Sequence, residues 1–171
     1  MSDTDRRDDA TWQSELPHVS VQTADFDLGA EVARLREGDL GVGAIASFVG
    51  TVRQWAPEAA ATLELEHYPG MTERRIAEIM AEARQRFDVR ALRVIHRVGP
   101  LALGDQIVLV IATSAHRGAA FEACEFLMDW LKTEAPFWKK EVSAEGARWV
   151  EAREQDNEAA RRWSTLSRND R

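Results

Sequence analysis

Three lysines stand where chemistry could use amines rather than guanidiniums. Of the 22 basic residues in the 171-residue chain, 19 are Arg, and only Lys132, Lys139 and Lys140 are Lys. All three fall inside one nine-residue window, 132–140. An ammonium partly buried among other cations can lose its proton and act as nucleophile or proton carrier, whereas a guanidinium stays charged. Lys132 belongs to the last turn of an expected helix and Lys139 lies just beyond Pro136, so a turn there can bring the two together. In an extended segment Phe137, Lys139 and Glu141 share one face, and Trp138 and Lys140 take the other. Two ammoniums close together beside aromatic rings would depress one pKa. The plainer reading is a helix C-terminus followed by a charged edge strand that discourages aggregation.

A second group is Ser114-Ala115-His116-Arg117, at the junction of an apolar strand and a helix. Free N–H groups and the positive dipole end at such a junction suit a phosphate or carboxylate. The alternative is that Ser114 caps the helix while His116 and Arg117 are merely solvated. Arg53 ends the apolar run Gly41–Val52, a position where loops often carry function. Arg153, flanked by Glu151 and Glu154, reads by itself as a plain ion pair. Cys124 falls on the apolar stripe of its helix and reads as a small core residue. His67 and His96 lie on alternating strands and read as core or rim. Four His and one Cys without metal spacing predict no metal site. No glycine-rich phosphate loop and no nucleophile elbow is present.

The elements that must position these residues follow from periodicity. Strands are expected at His18–Thr23, Gly41–Val52 (a buried one, rich in small residues), Thr62–Tyr68, Ala91–Val98, Gln106–Ser114 and Phe137–Val142. Ala91–Val98 and Gln106–Ser114 should form a hairpin across Gly99–Asp105. Asp27 should cap a helix to Arg36 with Leu28, Val32 and Leu35 on one face. Thr72 should cap a second helix to Phe87, with an apolar stripe of Ile76, Ile79, Met80 and Ala83. A long helix, Arg117–Glu134, carries Ala120, Phe121, Cys124, Leu127, Met128 and Leu131 and stops before Pro136. Arg148–Trp163 reads as largely helical. Trp12, Trp55, Trp138 and Trp163 are open to either interface or core positions. Helices between antiparallel strands predict an α+β fold. Residues 1–17 are expected to be a mobile tail, 18–163 a single domain, and 164–171 a frayed end.

Composition narrows the function classes. The formal charge of −7 should repel nucleic acid and anionic membranes, so an anion site must be a local basic pocket. No apolar run is long enough to span a bilayer, and the N-terminus lacks a signal-like segment, which predicts a cytoplasmic protein.

Several blocks occur together in order. They are Gly50-Thr51-Val52-Arg53, EHYPGMTE at 66–73, IHRVG at 95–99, TSAHR at 113–117, and MDWLKTEAPFWKKE at 128–141. They resemble the large-subunit family of molybdopterin synthase over about residues 43–163. The resemblance implies an α/β hammerhead fold with an additional antiparallel sheet. It implies sulfur transfer from the C-terminal Gly-Gly thiocarboxylate of a small ubiquitin-like carrier subunit to cyclic pyranopterin monophosphate, forming the dithiolene of molybdopterin. The assembly it implies is a homodimer with a carrier at each end, a heterotetramer, and it calls for no cofactor. Thr51, Val52, Arg53, His116, Arg117, Lys132, Lys139, Lys140, Glu141 and Arg153 match the family's substrate-binding positions, with Arg153 arriving from the neighbouring subunit. Lys132 and Lys139 match its essential lysines: Lys132 nearest the thiocarboxylate, Lys139 anchoring substrate. After Arg53 the stretch QWAPEAA replaces the family's polar, Asn- and His-containing segment. Two rivals remain on the residues alone. One is a module that docks a partner's carboxylate tail or a phosphate without chemistry; the other is a phosphoryl- or acyl-transfer enzyme with Lys132 as nucleophile.

Overall fold

The computed structural model describes residues 19–54, 62–150 and 154–165. β1 (Val19–Gln22) leads to α1 (Leu28–Arg36), whose N-cap Asp27 accepts a hydrogen bond from Ala30 N at 2.8 Å, as the sequence predicts. β2 (Ala44–Thr51) and β3 (Thr62–His67) follow, then α2 (Met71–Arg86). The cap of α2 is Gly70 rather than Thr72. Gly70 takes φ +83°, which glycine tolerates, and its N–H donates to Glu73 Oε2 at 2.7 Å. Thr72 is buried instead; its hydroxyl accepts from Tyr68 N at 3.1 Å and donates to Pro136 O at 3.2 Å. That bond ties the start of α2 to the turn between the lysines.

β4 (Ala91–Arg97), β5 (Gly99–Leu101), β6 (Gln106–Ser114), α3 (Arg117–Thr133), β7 (Phe137–Ser143), β8 (Gly146–Val150) and α4 (Glu154–Thr165) complete the chain. One sheet has the order β1-β4-β6-β2, with β1 parallel to β4 and the other pairs antiparallel. The other, β5-β3-β7-β8, is antiparallel throughout. The α+β class is therefore borne out, with the additional antiparallel sheet.

Residues on β4 and β6 alternate between two apolar layers, which is why both faces of these strands carry apolar side chains. Leu92, Val94, Val108, Val110 and Ala112 face Ile76, Met80, Phe126 and Leu127 of α2 and α3. Ala91, Ile95, Leu109 and Ile111 face Leu35 of α1, with Leu28 and Val32 beside it. Each such side chain fully withdrawn from water contributes about 1.5–3 kcal/mol. A third cluster, Val52, Leu63, Leu65 and Leu101, lies under the second sheet and meets the main core through Ile107.

Four expectations need correction. β4 and β6 do pair, but not as a simple hairpin: Gly99, at φ +82°, turns the chain out of the first sheet, and β5 pairs with β3 in the second. Pro100 is accommodated there because β5 is an edge strand. β2 is not a buried strand but an edge, with Ile45, Ser47 and Phe48 exposed. Its preceding glycines still mark a close approach, since a Cβ on Gly43 would run into the Ala115 carbonyl. On α3, Phe121 faces solvent and the core takes Ala123 and Phe126, so the buried stripe is rotated from the one expected. Arg148–Val150 belongs to β8 rather than to a helix, and Glu154–Thr165 is helical. Trp163 is a core residue, edge-on to Phe87 and Phe126. Residues 1–17 and most of 164–171 fall outside the described residues, as do Trp12 and Trp55.

Candidate functional site

Lys132 stands in the last turn of α3, and Pro136 then redirects the chain into β7. The β7 register sets Phe137 opposite His67, Lys139 opposite Leu65 and Glu141 opposite Leu63 of β3. Leu63 and Leu65 are buried, so Phe137, Lys139 and Glu141 share the inner face of this sheet. Trp138 and Lys140 take the outer face. Trp138 meets Tyr68 edge-on at 4.3 Å, and the Lys140 ammonium sits 5.5 Å from the Trp149 ring centre. Lys140 is thus turned away from Lys139. Glu141 pairs with Arg148 at 3.1 Å.

His96 packs against the start of β7. It is 8% exposed at the end of β4, and its ring stacks on Phe137 with centroids 3.7 Å apart and planes 18° off parallel. Burial pushes its pKa down to about 4, and the positive charges of Lys139 and Lys132, together with His67, push the same way. Both lysines therefore lie within electrostatic reach of one buried ring. His67, beside them on β3, has its Nε2 3.7 Å from Glu73 Oε1.

This ring predicts a pH dependence of stability. A histidine whose folded pKa is lowered favours the fold fully above its unfolded value of 6.5. The contribution is lost as pH falls toward 4, because only the unfolded chain then takes up the proton. At about 1.4 kcal/mol per pH unit this removes about 3 kcal/mol between pH 6.5 and 4. Chemical denaturation across that range should show the decline, and His96→Phe should flatten it.

Arg53 is exposed at the same end of the molecule. Thr51 pairs with Gln106 at the start of β6, and α3 follows β6 after two residues and packs back along it. The last turn of α3 thus returns toward Thr51 and Arg53. Val52 contributes no side chain to solvent: it packs with Leu65, the cross-strand partner of Lys139, and its N–H and C=O bond to Asp105 O and Gly104 N. These bonds fix the backbone just before Arg53, and Thr51 ends β2 exposed.

His116 and Arg117 do not join this group within one chain. His116 is the N-cap of α3 and Arg117 its first residue, both exposed. Fifteen residues separate Arg117 from Lys132, roughly 22 Å of helix at 1.5 Å per residue. Ser114 is not the cap; its hydroxyl donates to Asp88 O at 2.7 Å and accepts from His116 N at 3.2 Å. A concave surface along 36–45 adjoins this end, where Gly43 N donates to Ser114 O, and not the lysine end. Arg153 lies outside the described residues.

Cys124 is buried, and burial pushes its thiol up to about 11, which fits a core residue. No group of three potential metal ligands occurs among the described residues. No described helix is long and apolar enough to cross a membrane. His96 and Phe137 were not singled out from sequence as site residues. A histidine directly after the apolar pair Val94-Ile95, within the IHRVG block, was the available signal. Arg97 of that block is structural, donating to Thr23 O at 3.1 Å and Gln106 O at 3.0 Å.

Comparison with known proteins adds four findings. The profile of the family described as "MoaE protein" matches residues 21–134. The molybdopterin synthase catalytic subunit of Ralstonia nicotianae is 57% identical over 155 residues, 90% of this chain and 88% of that protein. The subunit of the same name from Escherichia coli is 54% identical over 146 residues, 85% of this chain and 97% of that one. Among solved structures, the molybdopterin biosynthesis MoaE protein of Burkholderia ambifaria superposes with a TM-score of 0.75 at 53% identity. It covers 87% of this chain and 99% of that chain.

Proposed function

The chain belongs to the MoaE protein family, and from that premise we propose that it is the catalytic subunit of a molybdopterin synthase, carrying out sulfur transfer. Its substrate is cyclic pyranopterin monophosphate. The sulfur comes from the C-terminal thiocarboxylate of a small ubiquitin-like carrier, and two charged carriers are consumed for each dithiolene formed. Lys132 stands nearest the thiocarboxylate and stabilises the charge that develops as the carbon–sulfur bond breaks. Lys139 and Arg53 hold the pterin and its phosphate. Glu141, on the face of Lys139, orients that end of the site. Lys140, on the opposite face of β7, acts on substrate only at its rim. His116, Arg117 and Arg153 complete the pocket from a second copy of the chain.

The observation that carries this reading is the stack of the buried His96 ring on Phe137 at the start of β7, two residues before Lys139 and on its face, with the charges of Lys132 and Lys139 both felt at that ring. The plainer reading of a charged edge strand does not hold, because β7 lies between β3 and β8 inside its sheet and turns Lys139 to the inner face. Mass spectrometry of the pterin product, from purified protein, cyclic pyranopterin monophosphate and thiocarboxylated carrier, tests it. The expected product carries two added sulfurs. Carrier binding without any sulfurated pterin would leave a docking module, and a covalent adduct with a simple acyl or phosphoryl donor would favour Lys132 as nucleophile.

A further inference from the structure

His96 belongs to neither of the groups that bring charge to the pocket, yet it touches the segment that delivers one of them. It lies in the first sheet, paired with Val21 of β1 and Val108 of β6, while Phe137 opens β7 in the second sheet. Their ring stack joins the two sheets two residues before Lys139. On its other side the same turn is held by the Thr72 hydroxyl, which donates to Pro136 O. The start of β7 is therefore pinned at consecutive residues, Pro136 and Phe137, and Lys139 follows two residues later on the face of Phe137.

The ring also has a defined tautomer. Nδ1 lies 2.8 Å from the Arg97 carbonyl oxygen, which can only accept, so Nδ1 carries the proton and Nε2 is bare. That bond holds the last peptide of β4, just before Gly99 turns the chain toward the second sheet. A phenylalanine would stack as well but could not bond the carbonyl. An aliphatic residue would do neither. The groups facing the ring are Lys139 from β7, Lys132 from α3 and His67 from β3. An uncharged imidazole adds no third cation to the pair.

We infer that His96 is a positioning residue for the proposed sulfur transfer: by clamping Phe137 and the end of β4 it holds Lys139 in register with Lys132. The inference rests on the reading that these lysines act on substrate, but its geometry can be tested apart from turnover. With three lysines in the chain, reductive methylation with 13C-formaldehyde gives three assignable lysine methyl signals. In His96→Ala the Lys139 and Lys132 signals should shift. The Lys140 signal, on the outer face of β7, should stay. In the turnover assay His96→Ala should lower kcat on the order of tenfold, the scale of a small misplacement of a catalytic group, with KM for the pterin changed less than kcat. Phe137→Ala should do the same, and the double variant should lose little more. His96→Phe, which restores ring against ring, should recover much of the Lys139 signal position, and it serves where the alanine variant does not fold. Unmoved Lys139 and Lys132 signals in a folded variant lacking the ring, or equal movement of all three lysines, would overturn the inference. Should the unaltered protein give no sulfurated product, the functional reading fails while the methyl signals still decide the placement.

Discussion

Replacing Lys132 with alanine is expected to lower sulfur transfer by about 10²–10³-fold, the usual cost of deleting one preorganised donor at the reacting centre. The chain should otherwise be intact. Lys132 is exposed at the end of α3, so its removal should change folding stability by no more than about 0.5 kcal/mol. Single-turnover transfer from thiocarboxylated carrier, with equilibrium unfolding beside it, separates the two effects. Lys132→Arg should remain impaired: the guanidinium keeps the charge but spreads it over a broad planar group in place of the compact ammonium. Lys140→Ala is the contrasting variant. Its side chain lies over Trp149 on the other face of β7, and its loss should cost less than about tenfold, within what a peripheral charge contributes. A Lys132→Ala protein that transfers sulfur normally would remove this residue from the mechanism.

The second large effect concerns Arg117. Loss of a charged hydrogen bond to a bound phosphate costs about 1.5–3 kcal/mol, so Arg117→Ala should weaken pterin binding by roughly ten- to a hundredfold. What makes the prediction specific is geometry. Arg117 and Lys132 sit at opposite ends of one helix, so no single chain can bring both to one small ligand. If the pocket is completed by a second copy, the defects of Arg117→Ala and Lys132→Ala fall on different chains of each site. Equal mixing with subunit exchange then makes half of the dimers mixed, and each mixed dimer has one intact site of two. At limiting pterin, activity should return to about a quarter of the unaltered level, although each variant alone retains about a tenth or less. Mixtures no more active than their components would show that the two residues serve one site in one chain or separate sites altogether.

Much of this architecture was legible in the sequence because local rules and the global fold agreed. Asp27 capped its helix, Pro136 ended another, and the alternation of Leu63 and Leu65 marked the inner face of β3. The lysine pair was visible as a compositional oddity, and the strand period placed Lys139 and Lys140 on opposite faces. What failed were judgements that depend on partners distant in sequence. β2 is rich in small and apolar residues but ends at a sheet edge, and no local pattern distinguishes an edge strand from a central one. Gly99–Asp105 looked like a hairpin loop because turn chemistry is local, whereas the pairing of β5 with β3 is not. Thr72 has the chemistry of a cap, yet its hydroxyl is committed to Pro136, sixty-four residues away. His96 escaped for the same reason. Its importance comes from Phe137 and two lysines on other elements. The distance between Arg117 and Lys132 was implicit in the helix length all along.

The central claim is that two ammoniums from one chain and the His116–Arg117 pair of another enclose a single phosphorylated pterin. A crystal structure of the protein with cyclic pyranopterin monophosphate bound tests it most directly. The expected result is one ligand within hydrogen-bonding distance of Lys132 or Lys139 of one copy and of Arg117 of its neighbour. A ligand held by one chain alone, or seated away from the ring of His96 and the lysines beside it, would contradict the account.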